Sequence, residues 1–280
     1  MTALLLTYRD VIGSVVLISA LFYVVELLLP VERLRGRGWA ANWLYLPLIT
    51  AWVIGLQVLL LPWNVFVLQI ARGGFFRRFV DSRESLLAEA AITVAFVVLW
   101  DVWQYWVHRW QHASAVLWET HKFHHADDAL TATSQTRHHA LSYVVYLISY
   151  APMLLLFGPF TPHPVLTILM FRVWGFVNHA NVRISFGPLT SMIAGPQWHR
   201  IHHSIDAEHS GRNFAALFPF IDRLFGTYYE PARDEYPATG LPPTGETILR
   251  QATISPVGGW VSAMQDAWKR RKRAARPQAA

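Results

Sequence analysis

The sequence contains no cysteine and few charged residues. Without cysteine, the chain has no intrachain disulfide, no thiolate metal ligand and no cysteine nucleophile. Charged residues form only 15% of the sequence, against 53% hydrophobic residues, and the mean hydropathy is +0.26. Thirteen tryptophans and ten tyrosines add residue types that favour membrane–water interfaces. This composition argues against a soluble globular protein and predicts an integral-membrane protein.

Several catalytic signatures are also missing. The sequence has no serine-hydrolase or P-loop motif, no HExxH motif, and no visible flavin or ferredoxin module. The net charge of +6 does not indicate a nucleic-acid partner, because the cations lie in loops and in the C-terminal tail beside apolar stretches. Anionic lipid headgroups are the expected partner of these cations.

Apolar stretches long enough to cross or enter a bilayer recur along the chain, each of them close to the length of about 20 residues that a spanning helix needs. They are Val11–Leu29, Trp43–Leu61, Leu86–Val107, Leu141–Pro159 and Pro164–Ala180. The first is too long for the apolar core of a cleaved signal peptide, so we expect it to be retained. A Gly-Pro-Phe-Thr-Pro turn joins the last two and predicts a helical hairpin. The predicted fold is an all-α, integral-membrane helical bundle with a histidine-rich cytosolic cap.

We divide the chain into N-terminal membrane helices (1–85), a catalytic domain (86–230) and a C-terminal extension (231–280). The extension ends in the basic run Lys269–Arg276, which has no core-forming residues and is expected to be disordered near the membrane surface. The apolar segment Asn64–Ala71 is too short to span and is expected at the interface.

The basic tail also predicts the orientation in the membrane. Cations favour the cytosolic side, so the catalytic face is expected there. This orientation places Arg72, Arg77 and Arg78 outside if Trp43–Leu61 spans the membrane, which conflicts with the same tendency. A re-entrant Trp43–Leu61 would remove the conflict, and both possibilities stay open. The expected location is the inner membrane of a bacterium or the endoplasmic reticulum of a eukaryote.

The thirteen histidines lie between His108 and His209, and most fall into three groups. The groups are His108 and His112 at spacing i, i+4, then His121, His124 and His125, and finally His199, His202 and His203, the last two both at spacing i, i+3, i+4. On a helix, these spacings place the side chains on one face. His163, in a Pro-flanked turn, and His209, in a polar loop, are not expected to be ligands.

The grouped histidines indicate a metal site. Imidazole binds Zn, Cu, Fe and Ni, and its free pKa of about 6.5 keeps it largely neutral near pH 7. One tetrahedral metal needs about four ligands, so eight grouped histidines predict two metals. A single pair could arise from packing, whereas three groups with repeated spacing are hard to obtain that way. Because the groups follow apolar stretches, we expect them to converge at one membrane face.

The order of these motifs resembles that of the fatty acid hydroxylase/sterol desaturase superfamily of membrane di-iron oxidases. The resemblance runs from about Leu86 to Tyr229, and no useful match precedes it. The matching stretches are DVWQYWVHRWQH (Asp101–His112), LWETHKFHH (Leu117–His125), NHAN (Asn178–Asn181), WHRIHHS (Trp198–Ser204), Asn213-Phe214 and DRLFGTY (Asp222–Tyr228). Their combined order is specific, although each motif alone is not.

The resemblance implies that the eight grouped histidines bind two iron ions, which zinc can replace in purified protein. It also implies one or two ligands from the middle of the chain, and His139 and His179 occupy the matching positions. His138 is an extra neighbour there, so in most backbones only one of the adjacent pair faces the site. Asp101 is a candidate for orienting a ligand histidine or for capping a helix end, and Asn213 for holding the last turn.

The implied activity is hydroxylation or desaturation of a lipid C–H bond, with O2 as co-substrate. An external electron donor of ferredoxin, cytochrome or reductase type is then required. The sequence leaves open the substrate and the choice between the two reactions. A membrane metal transporter or metal-binding protein is the alternative, although transporter sites usually lie near the bilayer midplane. A zinc hydrolase is a third possibility, but the histidine groups lack the general base of HExxH.

Overall fold

The computed structural model describes residues 2–32, 37–76, 85–158, 173–242 and 245–274. These residues form helices joined by short loops and 3-10 turns, with two isolated β-bridges and no strand among them. The helices are α1 (Thr2–Leu28), α2 (Arg37–Leu59), α3 (Leu61–Ile70), α4 (Leu86–Ala113), α5 (Ala115–His125), α6 (Ala140–Ser149), α7 (Ala151–Phe157), α8 (Trp174–His179), α9 (Pro196–His202), α10 (Phe220–Phe225), α11 (Ile248–Thr253) and α12 (Ser255–Ala274). The predicted all-α fold is confirmed.

Three helical stretches in the described ranges are long and apolar enough to cross a membrane, namely Ala40–Leu59, Leu86–Ala113 and Ala140–Phe157. The helix α1 adds a shorter apolar stretch, Ile12–Leu28. Large apolar side chains on these helices point outward, as at Leu44, which is 75% exposed. Broad apolar surfaces are unfavourable in water and suit lipid tails. The architecture is therefore that of a helical membrane bundle, as the sequence predicts.

Two predicted segments differ in detail from the structure, and a third lies mostly outside the described residues. The predicted span Leu141–Pro159 is divided into α6 and α7, because Pro152 lacks the N–H that would continue the helical ladder. The predicted span Pro164–Ala180 lies mostly outside the described residues, which resume at Val173. The prediction of a disordered basic tail is wrong as far as Ala274, because its Arg, Lys and Ala residues are strong helix formers that continue α12.

A single residue separates α4 from α5 and folds one back against the other. Ser114 ends α4 in an extended conformation (φ −96°, ψ 120°). The same residue begins α5, where its Oγ accepts a hydrogen bond from the N–H of Leu117 at 3.4 Å. This turn sets the last two turns of α4 beside α5, so the first two histidine groups face each other.

Two clusters of buried apolar side chains support the histidine-bearing helices. One contains Tyr105, Trp198, Phe214 and Ile221 and joins α4, α9 and α10. The other surrounds the end of α8, where Phe176, Ala180 and Val182 pack against α1. The N-terminal helix therefore packs directly on the segment that carries His179.

Candidate metal centre

Nine buried or half-buried histidines form two adjacent groups in the interior. The candidate ligand atoms within each group all lie within 4.8 Å of one another. We call the two groups cluster 1 (His108, His112, His121, His125 and His202) and cluster 2 (His124, His179, His199 and His203). Neighbouring residues on a helix point about 100° apart. The two adjacent pairs, His124-His125 and His202-His203, therefore each divide between the clusters.

The ring nitrogens within each cluster face one another at short range. In cluster 1, the His121 Nε2 atom lies 3.1 Å from that of His108 and 3.2 Å from that of His125. In cluster 2, the Nε2 atom of His179 lies 3.0 Å from that of His124 and 3.2 Å from that of His199. An all-imidazole donor set of this kind suits iron or zinc.

Other ring nitrogens in the clusters are buried without a partner. The Nε2 atoms of His112, His202 and His203 have no hydrogen-bond partner among the described residues. Buried polar atoms normally have one, so such orphaned nitrogens call for an explanation. One metal ion held by each cluster would supply it, and the residues present fit one ion per cluster.

Backbone carbonyl groups accept hydrogen bonds from the Nδ1 atoms of several of these rings. The Nδ1–H groups of His108, His202 and His179 donate to the carbonyl oxygens of Phe214 (2.8 Å), Arg212 (2.9 Å) and Gly175 (2.7 Å). A hydrogen bond at Nδ1 fixes the tautomer and leaves the Nε2 lone pair for a metal. These hydrogen bonds therefore hold the three rings in the orientation that metal coordination would require.

Burial also keeps the imidazoles in the form that binds metal. Loss of hydration is the main cause that lowers the pKa of His179 to about 4. Burial, reinforced by neighbouring histidines, lowers the pKa values of His199, His202 and His203 well below the usual 6.5. The rings are therefore neutral at physiological pH, as metal coordination requires.

Asn213 supports cluster 1 through the backbone. It is the only described non-glycine residue with a positive φ, at 58°. Its Nδ2 donates to the carbonyls of Trp198 (3.2 Å) and Tyr229 (3.1 Å), and its Oδ1 accepts from the N–H of Tyr229 (2.8 Å). The residues on either side of it provide the carbonyls that hold His202 and His108. Asn213 thus positions the rings of His202 and His108 indirectly, through the backbone on either side of it.

Two buried carboxylates anchor the loop that follows Asn213. Asp101 accepts hydrogen bonds from the N–H groups of residues 216, 217 and 218 at 3.0, 3.1 and 2.8 Å. Asp222 accepts from the N–H groups of Phe214 and Ala215 at 2.8 and 2.9 Å. Both roles expected for Asp101 are corrected, because its oxygens bond to this loop and neither orient a histidine nor cap a helix.

The adjacent residues His138 and His139 face in different directions. The ring of His138 stacks on that of His124, with centroids 4.3 Å apart, and its buried Nδ1 has no partner among the described residues. The side chain of His139 instead caps α6, accepting from the N–H of Leu141 at 3.1 Å, while its Nε2 lies 3.0 Å from the carbonyl oxygen of Thr253. The prediction of His139 as a ligand is therefore corrected, since backbone groups occupy both of its nitrogens.

Two other histidines were expected to lie apart from the site. His209 belongs to neither cluster, and its ring nitrogens lie 2.9 Å from Ser204 Oγ and 3.0 Å from Glu235 Oε1. His163 falls outside the described residues.

Glu26 lies outside every motif in the sequence, and the structure places it against the segment that follows His179 of cluster 2. This residue of α1 is 2% exposed. Its Oε1 accepts from the N–H groups of Ala132 (2.7 Å) and Asn181 (2.9 Å), and Asn181 lies two residues after His179. The sequence does contain one indication of this role. Glu26 lies within an apolar helix, and a carboxylate in such a position usually has a specific partner.

A second buried network ties the end of α5 to α2. Asp127 accepts from Asn42 Nδ2 (2.9 Å) and Ser134 Oγ (2.7 Å), and it lies 3.5 Å from Arg137 Nη1. Arg137 also donates to the carbonyl of Phe123 at 3.1 Å. Residues outside the histidine motifs thus fix the helix that carries His124 and His125.

A cavity of about 310 Å³ lies against both clusters. Histidines of both clusters and His138 form one side of it, and Trp100, Trp174 and Leu217 form an apolar side. The polar groups of Gln104, Gln135, Asn178, Tyr143 and Tyr146 complete the lining. The lining includes residues of α4 and α6, which both belong to candidate membrane spans.

Comparison with known proteins agrees with this geometry. Residues 93–227 match the family model described as fatty acid hydroxylase. The chain is 29% identical to alkylglycerol monooxygenase of Danio rerio over 130 residues, which are 46% of this chain and 28% of the relative. It is 28% identical to ornithine lipid hydroxylase OlsE of Rhizobium tropici (49% and 41%) and 25% identical to methylsterol monooxygenase 1-3 of Arabidopsis thaliana (51% and 50%). No solved structure matches the chain.

Proposed function

We propose that the chain is a membrane-bound di-iron enzyme of the fatty acid hydroxylase/sterol desaturase superfamily, which its family match and its relatives support. It uses O2 and electrons from an external donor to hydroxylate or desaturate a C–H bond of a lipid. The observation that carries this proposal is the pair of all-histidine clusters opening on one cavity between membrane helices. The metal-transport alternative fits less well, because the relatives act on lipids by oxidation, as their names state.

Each cluster is proposed to hold one metal ion. Cluster 1 has five candidate ligands and cluster 2 has four, so His138, stacked on His124, is proposed as a further member of cluster 2. When bound, the iron pair supplies O2 activation and the removal of hydrogen from an unactivated carbon. The chain itself supplies neutral imidazoles, fixes their tautomers through backbone carbonyls, and provides a shaped cavity that limits access of water.

A lipid substrate follows from the position and lining of the cavity. An apolar chain can enter between α4 and α6 and lie against Trp100, Trp174 and Leu217. The lipid substrates in the names of the relatives support the same class. The electron donor is proposed to approach from the aqueous side of the clusters, and the cytosolic face is proposed for that side.

The domain division 1–85, 86–230 and 231–280 remains a proposal. The family match, residues 93–227, falls inside the middle segment. The contacts of Glu26 and Asn42 with the histidine-bearing region indicate that the N-terminal helices contribute to the structure of the catalytic domain.

Lipidomics with labelled oxygen tests the activity most directly. Cells that express the full chain, or its His124→Ala/His125→Ala variant, are grown under 18O2, and their lipids are profiled without preselection. The proposal expects a lipid that gains one 18O atom, or that loses two hydrogens, only with the unaltered chain. The opposite outcome is a metal-loaded, correctly inserted protein that changes no lipid but raises cellular metal uptake. That result would contradict the oxidase and support the metal transporter.

A further inference from the structure

The C-terminal helix α12 presents three distinct faces. One face packs on α5, where the indole Nε1 of Trp260 donates to the carbonyl of Val116 at 2.8 Å and Gly259 contacts Glu119. A second face is apolar yet exposed, with Val257 at 51%, Val261 at 44% and Met264 at 64%. The third is exposed and carries small or polar residues, Gly258, Ser262, Gln265 and Lys269.

The exposed apolar residues follow a regular helical spacing. Ile254 precedes the helix, and Val257, Val261, Met264 and Trp268 continue at alternating steps of three and four. At 3.6 residues per turn, these positions fall within an arc of roughly 80°. Contacts with α5 do not account for this arc, because the buried face of α12 lies elsewhere on the helix. A helix with apolar and polar sides of this kind is typical of the membrane interface.

The neighbours of α12 place it at the level where α4 leaves the bilayer. Trp110, 46% exposed, lies three residues before the end of α4, and Val116, 55% exposed, lies in the first turn of α5. Val116 is the residue whose carbonyl accepts from Trp260. The helix α12 thus packs on the helix that directly follows the exposed apolar end of a candidate span, and tryptophan is enriched at that depth.

The charge of the helix indicates the kind of surface that it meets. The sequence Lys269-Arg-Arg-Lys-Arg273 places five consecutive cations at the C-terminal end of α12. Clusters of four to eight basic residues beside a membrane helix are attracted to anionic lipids. An acidic soluble protein would explain the cations but not the adjoining apolar face.

We propose that α12 is an interfacial helix that lies in the headgroup region of the membrane crossed by the other helices. Val257, Val261 and Met264 enter the boundary with the acyl chains, Ser262 and Gln265 face water, and the basic run binds anionic lipid headgroups. Because α12 packs on α5, lipid bound to it lies one helix away from His121, His124 and His125. This surface does not depend on the reaction that the clusters carry out.

Spin labelling tests the proposal cleanly because the chain has no native cysteine. Met264→Cys and the matched control Ser262→Cys are each made in the full chain, labelled with a nitroxide, and placed in nanodiscs of phosphatidylcholine with or without phosphatidylglycerol. Collision rates are measured with O2, which concentrates in lipid, and with a water-soluble nickel chelate. Unchanged metal content serves as the folding control.

The proposal expects the Met264 label to collide mainly with O2 and the Ser262 label mainly with the nickel chelate. Adding phosphatidylglycerol should raise the O2-to-nickel ratio at Met264 and leave that at Ser262 unchanged. Equal exposure of both positions to the nickel chelate would overturn the interfacial placement. Shielding of Met264 from both reagents would mean that a protein, such as a second copy of the chain, covers this face. An O2-to-nickel ratio at Met264 that does not change when phosphatidylglycerol is added would overturn the anionic-lipid assignment.

Discussion

The two histidine clusters differ in which parts of the chain hold them in place. Cluster 1 draws its ligands from α4, α5 and α9, and its outer hydrogen bonds come from the carbonyls of Arg212 and Phe214. Cluster 2 includes His179, whose segment is held by Glu26 of α1. Residue 26 lies outside the family match at residues 93–227. Both clusters draw ligands from α5, whose end is held by Asn42 of α2 through Asp127, and the segment of His179 in cluster 2 has the additional support of Glu26 of α1.

The largest expected effect comes from the neighbours His202 and His203, which belong to different clusters. His202→Ala should remove one metal from cluster 1, and His203→Ala one from cluster 2, each lowering the metal content from about two to about one per chain. Turnover should be lost in both variants, because both ions are required. Elemental analysis of purified protein measures the metal, and His209→Gln, outside both clusters, is the control. Loss of both metals, or of neither, in each variant would contradict two separable sites.

Smaller, selective effects are expected when the supports are removed. Glu26→Ala leaves two buried N–H groups without an acceptor, which costs about 1–3 kcal/mol for each group. The displaced His179 segment should weaken metal binding in cluster 2 by roughly 10–100-fold. Competition with a chelator measures this affinity in the His202→Ala background, where only cluster 2 remains. An equal loss of metal affinity in cluster 1, measured in the His203→Ala background, would refute the selective role. The control variant Glu26→Gln keeps an acceptor oxygen and should lower the affinity of cluster 2 less than Glu26→Ala does.

The opposite selectivity is expected for Asn213→Ala. This change removes three hydrogen bonds from a residue with a φ of 58°, and alanine disfavours that conformation. The carbonyls of Arg212 and Phe214 should then shift, and cluster 1 should lose affinity by roughly 10–100-fold. The same chelator competition in the His203→Ala background measures the loss. Asn213→Gly separates the strain from the hydrogen bonds, because glycine accepts the backbone angle.

His138→Ala should lower the metal affinity of cluster 2 if His138 is a ligand of that cluster. The expected result is a lower affinity of cluster 2 and a smaller change in cluster 1, because the ring centroid of His138 lies 4.3 Å from that of His124 in cluster 2 and 6.4 Å from that of His121 in cluster 1. Chelator competition in the His202→Ala background again isolates the site. An unchanged affinity would limit His138 to lining the cavity.

The smallest effect on metal binding is expected for His139→Ala. The side chain caps α6, and loss of such a cap typically costs about 1 kcal/mol of stability. Thermal unfolding of the full chain should therefore begin at a slightly lower temperature, while the metal content stays at the level of the unaltered protein. A lost metal ion would restore His139 to the ligand set.

The sequence was most informative where the determinants are local. Spacings of three and four residues predict that His121, His124 and His125 all face the site, and the structure places all three there, with His121 and His125 in cluster 1 and His124 in cluster 2. The choice between His138 and His139 depends on the turn before α6 and could not be made from adjacency alone. The roles of Glu26 and Asp101 depend on contacts over 155 and 115 residues of sequence, which no local pattern contains. The basic tail continues α12 as far as Ala274, because the helix propensity of its Arg, Lys and Ala residues prevails over the repulsion between its charges.

X-ray absorption at the iron edge of the iron-loaded full chain tests the central claim most directly. Two histidine clusters that share one cavity predict about two irons per chain, each with a nitrogen-rich, imidazole-type shell. They also predict an iron–iron separation of about 3.5–4 Å, as in other two-metal sites. A single iron per chain, or two irons without a resolvable iron–iron vector at that distance, would contradict the proposed di-iron centre.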